Sequence, residues 1–164
     1  MADQRDRAYA ELIVDGCLGV QPGWQVYVGG NPQARPLLEE VCAALARRGA
    51  YPLVRISFEG FLITAPSWLA EAPLDVIGTP AALTVREIED ADAIFFASAP
   101  DNTRNVAGID AERIGALQAA YRPAMRKMMN HSVPWLACQY PTAALAQEAG
   151  LSTEAFADLL YREI

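Results

Sequence analysis

The sequence contains few of the side chains that bind transition metals. Its 164 residues include one histidine, His131, and three cysteines, Cys17, Cys42 and Cys138, which lie far apart. A zinc site needs several such ligands close together, and a disulfide framework needs an even number of cysteines. We therefore expect neither. We expect reduced thiols in apolar surroundings, and a histidine on the surface or beside a site.

Long apolar runs are also missing. No stretch of about 18 apolar residues occurs, which excludes a membrane-spanning helix, and the N-terminal MADQRDRAYAEL lacks the apolar centre of a signal peptide. The formal net charge of −7 repels phosphate backbones. These features predict a cytoplasmic protein that has no membrane and no nucleic acid among its partners.

The chain does contain enough apolar surface for a core, because 52% of its residues are hydrophobic. WQVYVGG alternates as a strand, a helix follows it, and PLVRISF forms a second strand. Such a strand–helix–strand unit with short links is almost always parallel and right-handed. AIFFAS and VPWLACQY are two further strands, separated by a long helix capped at Asp110, and Thr142 and Ser152 cap the last two helices.

This order of elements predicts a single α/β domain over residues 1–164. Its architecture is a layered sandwich with a mostly parallel, Rossmann-like sheet. Residues 59–92 are less clear, because SWLAEAP favours one helical turn and TPAALTVREIEDA favours either a helix capped at Thr79 or a strand over LTVREI.

Apolar positions that recur every three or four residues predict which side each helix buries. They are Tyr9, Leu12, Ile13 and Cys17 in the first helix; Leu37, Leu38, Val41, Cys42 and Leu45 in the second; Ile114, Leu117, Tyr121, Met125, Met128 and Met129 in the long helix; and Phe156, Leu159, Leu160 and Ile164 in the last. We expect Trp24, Trp68 and Trp135 to be core or interface anchors.

Gly29 and Gly30 lie between the first strand and a helix that begins at Asn31-Pro32. A dinucleotide fingerprint has G-x-G-x-x-G at this turn, and the third glycine is missing here. The sequence favours a tight turn with Asn31 as the helix cap, and Pro36 indicates either that the first turn of this helix is loose or that the helix begins nearer Arg35. An anion site at the backbone N–H groups of that helix start stays open as an alternative.

No residue is a candidate for catalysis, cofactor binding or metal binding. A serine nucleophile lacks its G-x-S-x-G turn, and the acidic residues between Glu87 and Asp92 lack the spacing of a calcium loop, which favours a solvated face. Polar residues at the carboxyl ends of parallel strands are the best candidates for a cleft. They are Asn31, Ser98, Asp101, Asn102, Tyr140 and Thr142.

Three stretches together carry a resemblance to a known family. They are YAELIVDGCLGVQPGWQVYVGG, ARPLLEEVCAALARRGAYPLVRI and VPWLACQYPTAALAQEAGLSTEAF. In this order and spacing the chain resembles the N-terminal domain of the thermophilic aminopeptidase family of metallopeptidases (aminopeptidase T and S type, leucyl aminopeptidase-like), and residues 59–110 match least.

The resemblance implies a metal-dependent enzyme that removes N-terminal residues from peptides. In that family two divalent metal ions (zinc, cobalt or magnesium) and the catalytic groups lie in a C-terminal part, so no catalytic residue transfers to this chain. Residues 1–164 are then an inactive N-terminal fragment of a longer two-domain enzyme, whose partners are its C-terminal catalytic domain, a peptide substrate and a second copy in a homodimer. An uncapped last helix with the apolar Ile164 at its end agrees with a chain that continues.

Two other hypotheses stay open. The first is a stand-alone Rossmann-like module that binds a nucleotide or another small molecule at the Gly29-Gly30-Asn31 turn. The second is a structural interaction domain without a small-molecule ligand.

Overall fold

The computed structural model describes residues 4–130 and 132–162, so the expectations for His131 and Ile164 concern residues outside these ranges. Four strands and eight α-helices form within the ranges. The strands are β1 (Gln25–Gly30), β2 (Tyr51–Ile56), β3 (Ala93–Ser98) and β4 (Trp135–Gln139). The helices are α1 (Gln4–Glu11), α2 (Arg35–Arg47), α3 (Pro66–Glu71), α4 (Leu74–Ile77), α5 (Ala82–Asp90), α6 (Ala111–Met129), α7 (Ala143–Glu148) and α8 (Thr153–Tyr161).

The four strands are all parallel and lie in the order β2-β1-β3-β4. Helix α2 connects β1 to β2, helices α3 to α5 connect β2 to β3, and α6 connects β3 to β4. The prediction of a layered α/β sandwich with a mostly parallel sheet is therefore confirmed, and the sheet is wholly parallel. None of the helices in the two described ranges combines the length and the apolar character needed to cross a bilayer.

Two apolar cores lie on opposite faces of this sheet. One contains Val26, Val28 and Phe95 together with the buried sides of α1 and α2. The other contains Tyr27 and Ile94, which point the opposite way from their strand neighbours, together with residues of α3 to α6. Strand β3 belongs to both cores, which explains why AIFFAS is apolar at nearly every position.

Strand β2 forms one edge of the sheet. The N–H of Tyr51 donates to the carbonyl of Trp24 just before β1, and the N–H of Ser57 donates to Gly30 in β1. The alternate residue Val54 therefore directs its carbonyl to the open side. The guanidinium of Arg55 donates to that carbonyl at 3.2 Å and to Glu87 of α5 at 2.9 Å. On the open edge, the Arg55 side chain thus covers the Val54 carbonyl. Pro52, on the same side, has no N–H group that a further strand could bond.

The first helix differs from its predicted pattern. A π-helical segment, Leu12–Cys17, follows α1 without a break, and the N–H of Leu18 donates to Ile13 five residues back. Because a π-helix has more residues per turn than an α-helix, the residues that face the core differ from those that α-helical spacing predicts. Ile13 and Val14 are buried, whereas Leu12 is 43% exposed and Cys17 is exposed, so the predictions for Leu12 and Cys17 are wrong.

The ambiguous segment at 59–92 is helical where the sequence left a choice. LTVREI lies in α5, and the strand alternative is wrong. Thr79 does not cap this helix, because α5 begins after Ala81 and the Thr79 hydroxyl donates to the carbonyl of Asp75 at 2.9 Å. The hydroxyl completes α4 instead, since Thr79 follows that helix more closely than it precedes α5.

The caps of the later helices are confirmed. The Asp110 carboxylate, the Thr142 hydroxyl and the Ser152 hydroxyl each accept from a backbone N–H in the first turn of α6, α7 and α8. The prediction of burial is wrong for two residues near the ends of these helices, because Met129 and Leu159 are exposed. Trp24 packs against the first core, but Trp68 and Trp135 are substantially exposed and are not core residues.

The glycine pair at the end of β1 is required by packing. A Cβ at Gly29 lies 2.7 Å from the ring of Phe96, and a Cβ at Gly30 lies 2.9 Å from the carbonyl oxygen of Ala97 and 3.1 Å from a methyl of Leu38. The backbone of β1 therefore approaches β3 and α2 more closely than any larger residue permits. Close packing accounts for these glycines without a phosphate ligand.

We predict that Gly30→Ala destabilises the chain by about 1–3 kcal/mol, because the added methyl meets backbone that cannot move aside. Urea unfolding followed by circular dichroism measures the change. The matched control is Gly115→Ala inside α6, where nothing lies within 4 Å of the new methyl and where alanine favours the helix by about 0.5–1 kcal/mol. A loss of stability in both variants contradicts the packing explanation.

Candidate functional site

The carboxyl ends of the four strands meet along one rim of the sheet. In a parallel sheet, ligands bind outside this rim, at the point where the chain turns from one side of the sheet to the other. That point lies between β1 and β3 here. The connection after β1 runs through α2 on one face of the sheet, and the connection after β3 runs through α6 on the opposite face. The residues that follow each strand therefore define the candidate site.

Asn31 fills the gap between β1 and β3. Its side chain is 1% exposed, and its amide oxygen accepts from the N–H of Ala99 at 2.7 Å. Its amide nitrogen donates to the carbonyls of Ser57 at 3.0 Å and Glu59 at 2.6 Å. One side chain thus joins the segments that follow β1, β2 and β3. The crevice in which other parallel sheets bind a nucleotide is filled here by the Asn31 side chain.

These bonds correct the prediction that Asn31 is a helix cap. Its side chain makes no capping bond, and a 3₁₀ turn over Pro32–Ala34 separates it from α2. Helix α2 begins at Arg35, as the position of Pro36 favoured. The backbone conformation of a cap is present, but the side-chain amide bonds three partners that are distant in sequence.

A polar cleft of about 500 Å³ lies further along the same rim, between the loop after β3 and helix α7. Asp101, Asn102, Thr103 and Arg104 form one wall. The other wall consists of residues on one side of α7, and these are Ala143, Ala144, Gln147 and Glu148. The cleft therefore joins the carboxyl ends of two neighbouring strands.

The walls of this cleft are connected by hydrogen bonds. The Thr103 hydroxyl donates to Glu148 across the cleft at 2.5 Å, and Asn105 donates to Asp101 at 3.1 Å within the loop. The side chain of Asn102 accepts from the N–H of Arg104 at 3.0 Å and fixes the turn. These bonds hold two carboxylates, an amide and a hydroxyl in an open cleft, where they can pair with the donors and cations of a ligand.

The structure brings together some of the predicted cleft residues and separates others. Asp101 and Asn102 line the cleft, and Thr142 is buried beside it as the cap of α7. Ser98 is partly buried at the end of β3, whereas Asn31 lies in the gap described above. The hydroxyl of Tyr140 points to Asp6 of α1 at 3.4 Å.

Sequence reasoning did not identify the wall formed by α7. Gln147 and Glu148 are three and four residues after Ala144, so a helix places all three on one side. Helical spacing was therefore available as a guide, but it was applied only to apolar residues.

The cleft does not fit a pair of divalent metal ions. Within residues 4–130 and 132–162 no group of three or more His, Cys, Asp or Glu side chains is placed to hold an ion. Asp101 and Glu148 are the carboxylates of the cleft, and both already accept hydrogen bonds from neighbouring side chains. No chemical step that needs a metal can be assigned to these residues.

The acidic residues between Glu87 and Asp92, within α5 and just after it, also have ordinary structural roles. Glu87 pairs with Arg55, and the carboxylate of Asp92 accepts from the N–H of Gln25 at 2.8 Å. Glu89 and Asp90 are exposed, as expected for a solvated face.

A second depression, of about 460 Å³, lies between α2 and the edge strand β2. Its floor is apolar and consists of Leu38, Cys42, Val54 and Ile56, with Arg35 and Glu39 paired with each other at its border. Recognition of a specific ligand needs a few polar groups that converge, and these are found in the polar cleft instead.

Comparisons with known proteins agree with the fold. A family model described as thermophilic metalloprotease (M29) matches residues 2–164. The solved structure of wild-type AmpT from Thermus thermophilus has a TM-score of 0.71 and 20% sequence identity, and the match covers 97% of this chain and 42% of that chain. No curated protein sequence matches the chain. This chain therefore spans less than half of the length of that structure, and the likeness to it shows a shared fold.

We predict that Asn31→Asp lowers the free energy of unfolding by at least about 2 kcal/mol, because a buried carboxylate oxygen then faces two carbonyls that have lost their donor. Asn105→Asp is the matched control on the exposed loop, where we expect a change within about 0.5 kcal/mol. Chemical denaturation of both variants at pH 7 provides the comparison. Equal effects of the two substitutions would show that Asn31 does not hold the strand ends together.

Proposed function

The chain belongs to the thermophilic metalloprotease (M29) family, and from this we propose that residues 1–164 form the N-terminal α/β part of a metal-dependent aminopeptidase. The enzyme releases N-terminal amino acids from peptides. This part of it serves as a scaffold and as one wall of the substrate cavity.

One observation carries the proposal: the family match extends over residues 2–164, while the AmpT chain is more than twice as long as the portion that this fold covers. In the proposed enzyme, a catalytic part beyond these residues holds two divalent ions, which are zinc, cobalt or magnesium. Such ions polarise the scissile carbonyl and lower the pKa of a bound water. The described residues contribute no ligand to them in this proposal.

The polar cleft is the surface that we assign to the substrate cavity. The two carboxylates of Asp101 and Glu148 outnumber the one cation among the described residues that line it, Arg104, and give the cleft a net negative charge. Asn102, Thr103 and Gln147 provide donors and acceptors for a peptide backbone. A peptide substrate enters an aminopeptidase with its cationic N-terminus, which a negatively charged wall attracts. The cleft then acts in binding and orientation, and the bond is cleaved elsewhere.

The same proposal includes a cytoplasmic enzyme that works as a homodimer. Its partners are the catalytic part of the same protein, the peptide and the second subunit. Neither the apolar depression between α2 and β2 nor the polar cleft is assigned to the subunit contact.

We predict that the purified 164-residue chain does not hydrolyse aminoacyl-p-nitroanilides when cobalt, zinc or magnesium is added. The physical reason is that the described residues contain no group able to hold the ions. Release of p-nitroaniline measures activity, and AmpT from Thermus thermophilus is the positive control.

Turnover that copurifies with the chain and is lost on chelation would contradict the scaffold role. A second check is the coding sequence after residue 164, which we expect to specify spaced Glu, His and Asp residues.

The nucleotide-binding hypothesis makes a different prediction, which a thermal-shift panel of mono- and dinucleotides tests. We expect no saturable rise in melting temperature, because Asn31 occupies the gap between β1 and β3 and the glycine pair is packed against Phe96 and Ala97. A ligand that binds only the folded chain at 100 times its Kd stabilises it by about 2.7 kcal/mol, which the assay detects easily. A saturable shift with any one nucleotide would revive the hypothesis.

A further inference from the structure

The last helix, α8, is attached to the domain without taking part in either core. Phe156 is its buried residue, and it belongs to neither of the two apolar clusters that enclose the sheet. Leu159 is exposed although it falls on the predicted buried side. A helix with so little apolar burial needs other contacts to stay docked, because packing supplies most of the stability of a short helix.

Polar and aromatic contacts to α1 provide them. The Tyr161 hydroxyl donates to the carboxylate of Asp6 at 2.6 Å, and Asp6 is 1% exposed. Arg5 pairs with Asp158 at 2.7 Å and lies 4.9 Å from the centre of the Tyr161 ring. That ring meets Tyr9 edge to face, with the ring centres 5.9 Å apart. These contacts converge on Asp6 and Tyr161.

The other end of α8 is built as a turn. Gly150 has a φ of +68° after α7, and the Ser152 hydroxyl then caps the first turn of α8. The helix can therefore change its direction at residues 150–152 while keeping its own hydrogen bonds and its cap.

We propose that α8 is a strap that opens as a unit about residues 150–152, and that the hydrogen bond from Tyr161 to the buried carboxylate of Asp6 is the latch that holds it closed. Opening leaves both cores and the sheet intact, since α8 contributes to neither core. The strap is a property of this fold and does not depend on the proposed enzymatic activity.

Cys138 serves as a chemical reporter of opening. The Tyr9 ring contacts Tyr161, and both Tyr9 and Cys138 of β4 pack against the first apolar core. Burial raises the pKa of Cys138 to about 11, so little thiolate is present at pH 8 while the strap is closed. Opening exposes this region to water and to alkylating reagents.

Hydrogen exchange with mass spectrometry on the 164-residue chain tests the proposal. Tyr161→Phe removes only the latch hydroxyl, and Asp6→Asn removes its charged acceptor. We expect exchange in residues 153–161 to accelerate roughly tenfold or more in both variants, with β1 and β3 unchanged, as for a local opening. Alkylation with N-ethylmaleimide at pH 8 should accelerate at Cys138 and not at Cys42, which serves as an internal reference.

Glu11→Gln is the matched control. It removes the same charge from the same helix, but Glu11 pairs on the surface with Arg7 and Arg47 and makes no contact with the latch, so exchange in α8 should not change. Tyr161→Phe decides the matter if Asp6→Asn fails to fold. Unchanged exchange in α8, or an equal acceleration in β3, would overturn the proposal.

Discussion

The rest of the structure depends on the three hydrogen bonds that the Asn31 side chain makes with the segments after β2 and β3. A parallel sheet must satisfy the backbone groups at the carboxyl end of every strand, and a gap opens where its connections diverge to opposite faces. In many proteins of this architecture a ligand enters that gap. Here an amide fills it, so the rim is rigid at its centre and the open polar surface lies to one side, beside α7.

The parts of the fold that were predictable have causes that lie within a few residues. AIFFAS is apolar throughout because β3 is covered on both faces, and Asp110, Thr142 and Ser152 cap helices through bonds to the next turn. The position of Asp101 at the rim of the sheet was predicted in the same way, from its place just after a buried strand. A short-range cause leaves a short-range pattern, and such a pattern can be recognised without knowing the rest of the molecule.

The features that escaped prediction are set by distant partners. Nothing near Asn31 indicates that its amide bonds residues 57, 59 and 99, and nothing near Asp6 indicates a hydroxyl at residue 161. The π-helical segment after α1 changes which residues are buried without a proline or glycine to mark where it starts. The wall of the cleft on α7 has a different cause, since its polar residues follow helical spacing, a pattern that is usually read from apolar residues.

The contacts of Arg55 affect the tendency of the protein to aggregate through the open edge of β2 at high concentration. An uncovered strand at the border of a sheet is a template for strands of neighbouring molecules, and growth from such borders leads to fibrils. The Glu87 carboxylate fixes a cation over the outward carbonyl of Val54, and Pro52 withholds a donor two residues earlier. A strand of a neighbouring molecule would have to displace Arg55 from Glu87, and it would find no N–H donor at Pro52. Addition of strands at this edge is therefore unfavourable.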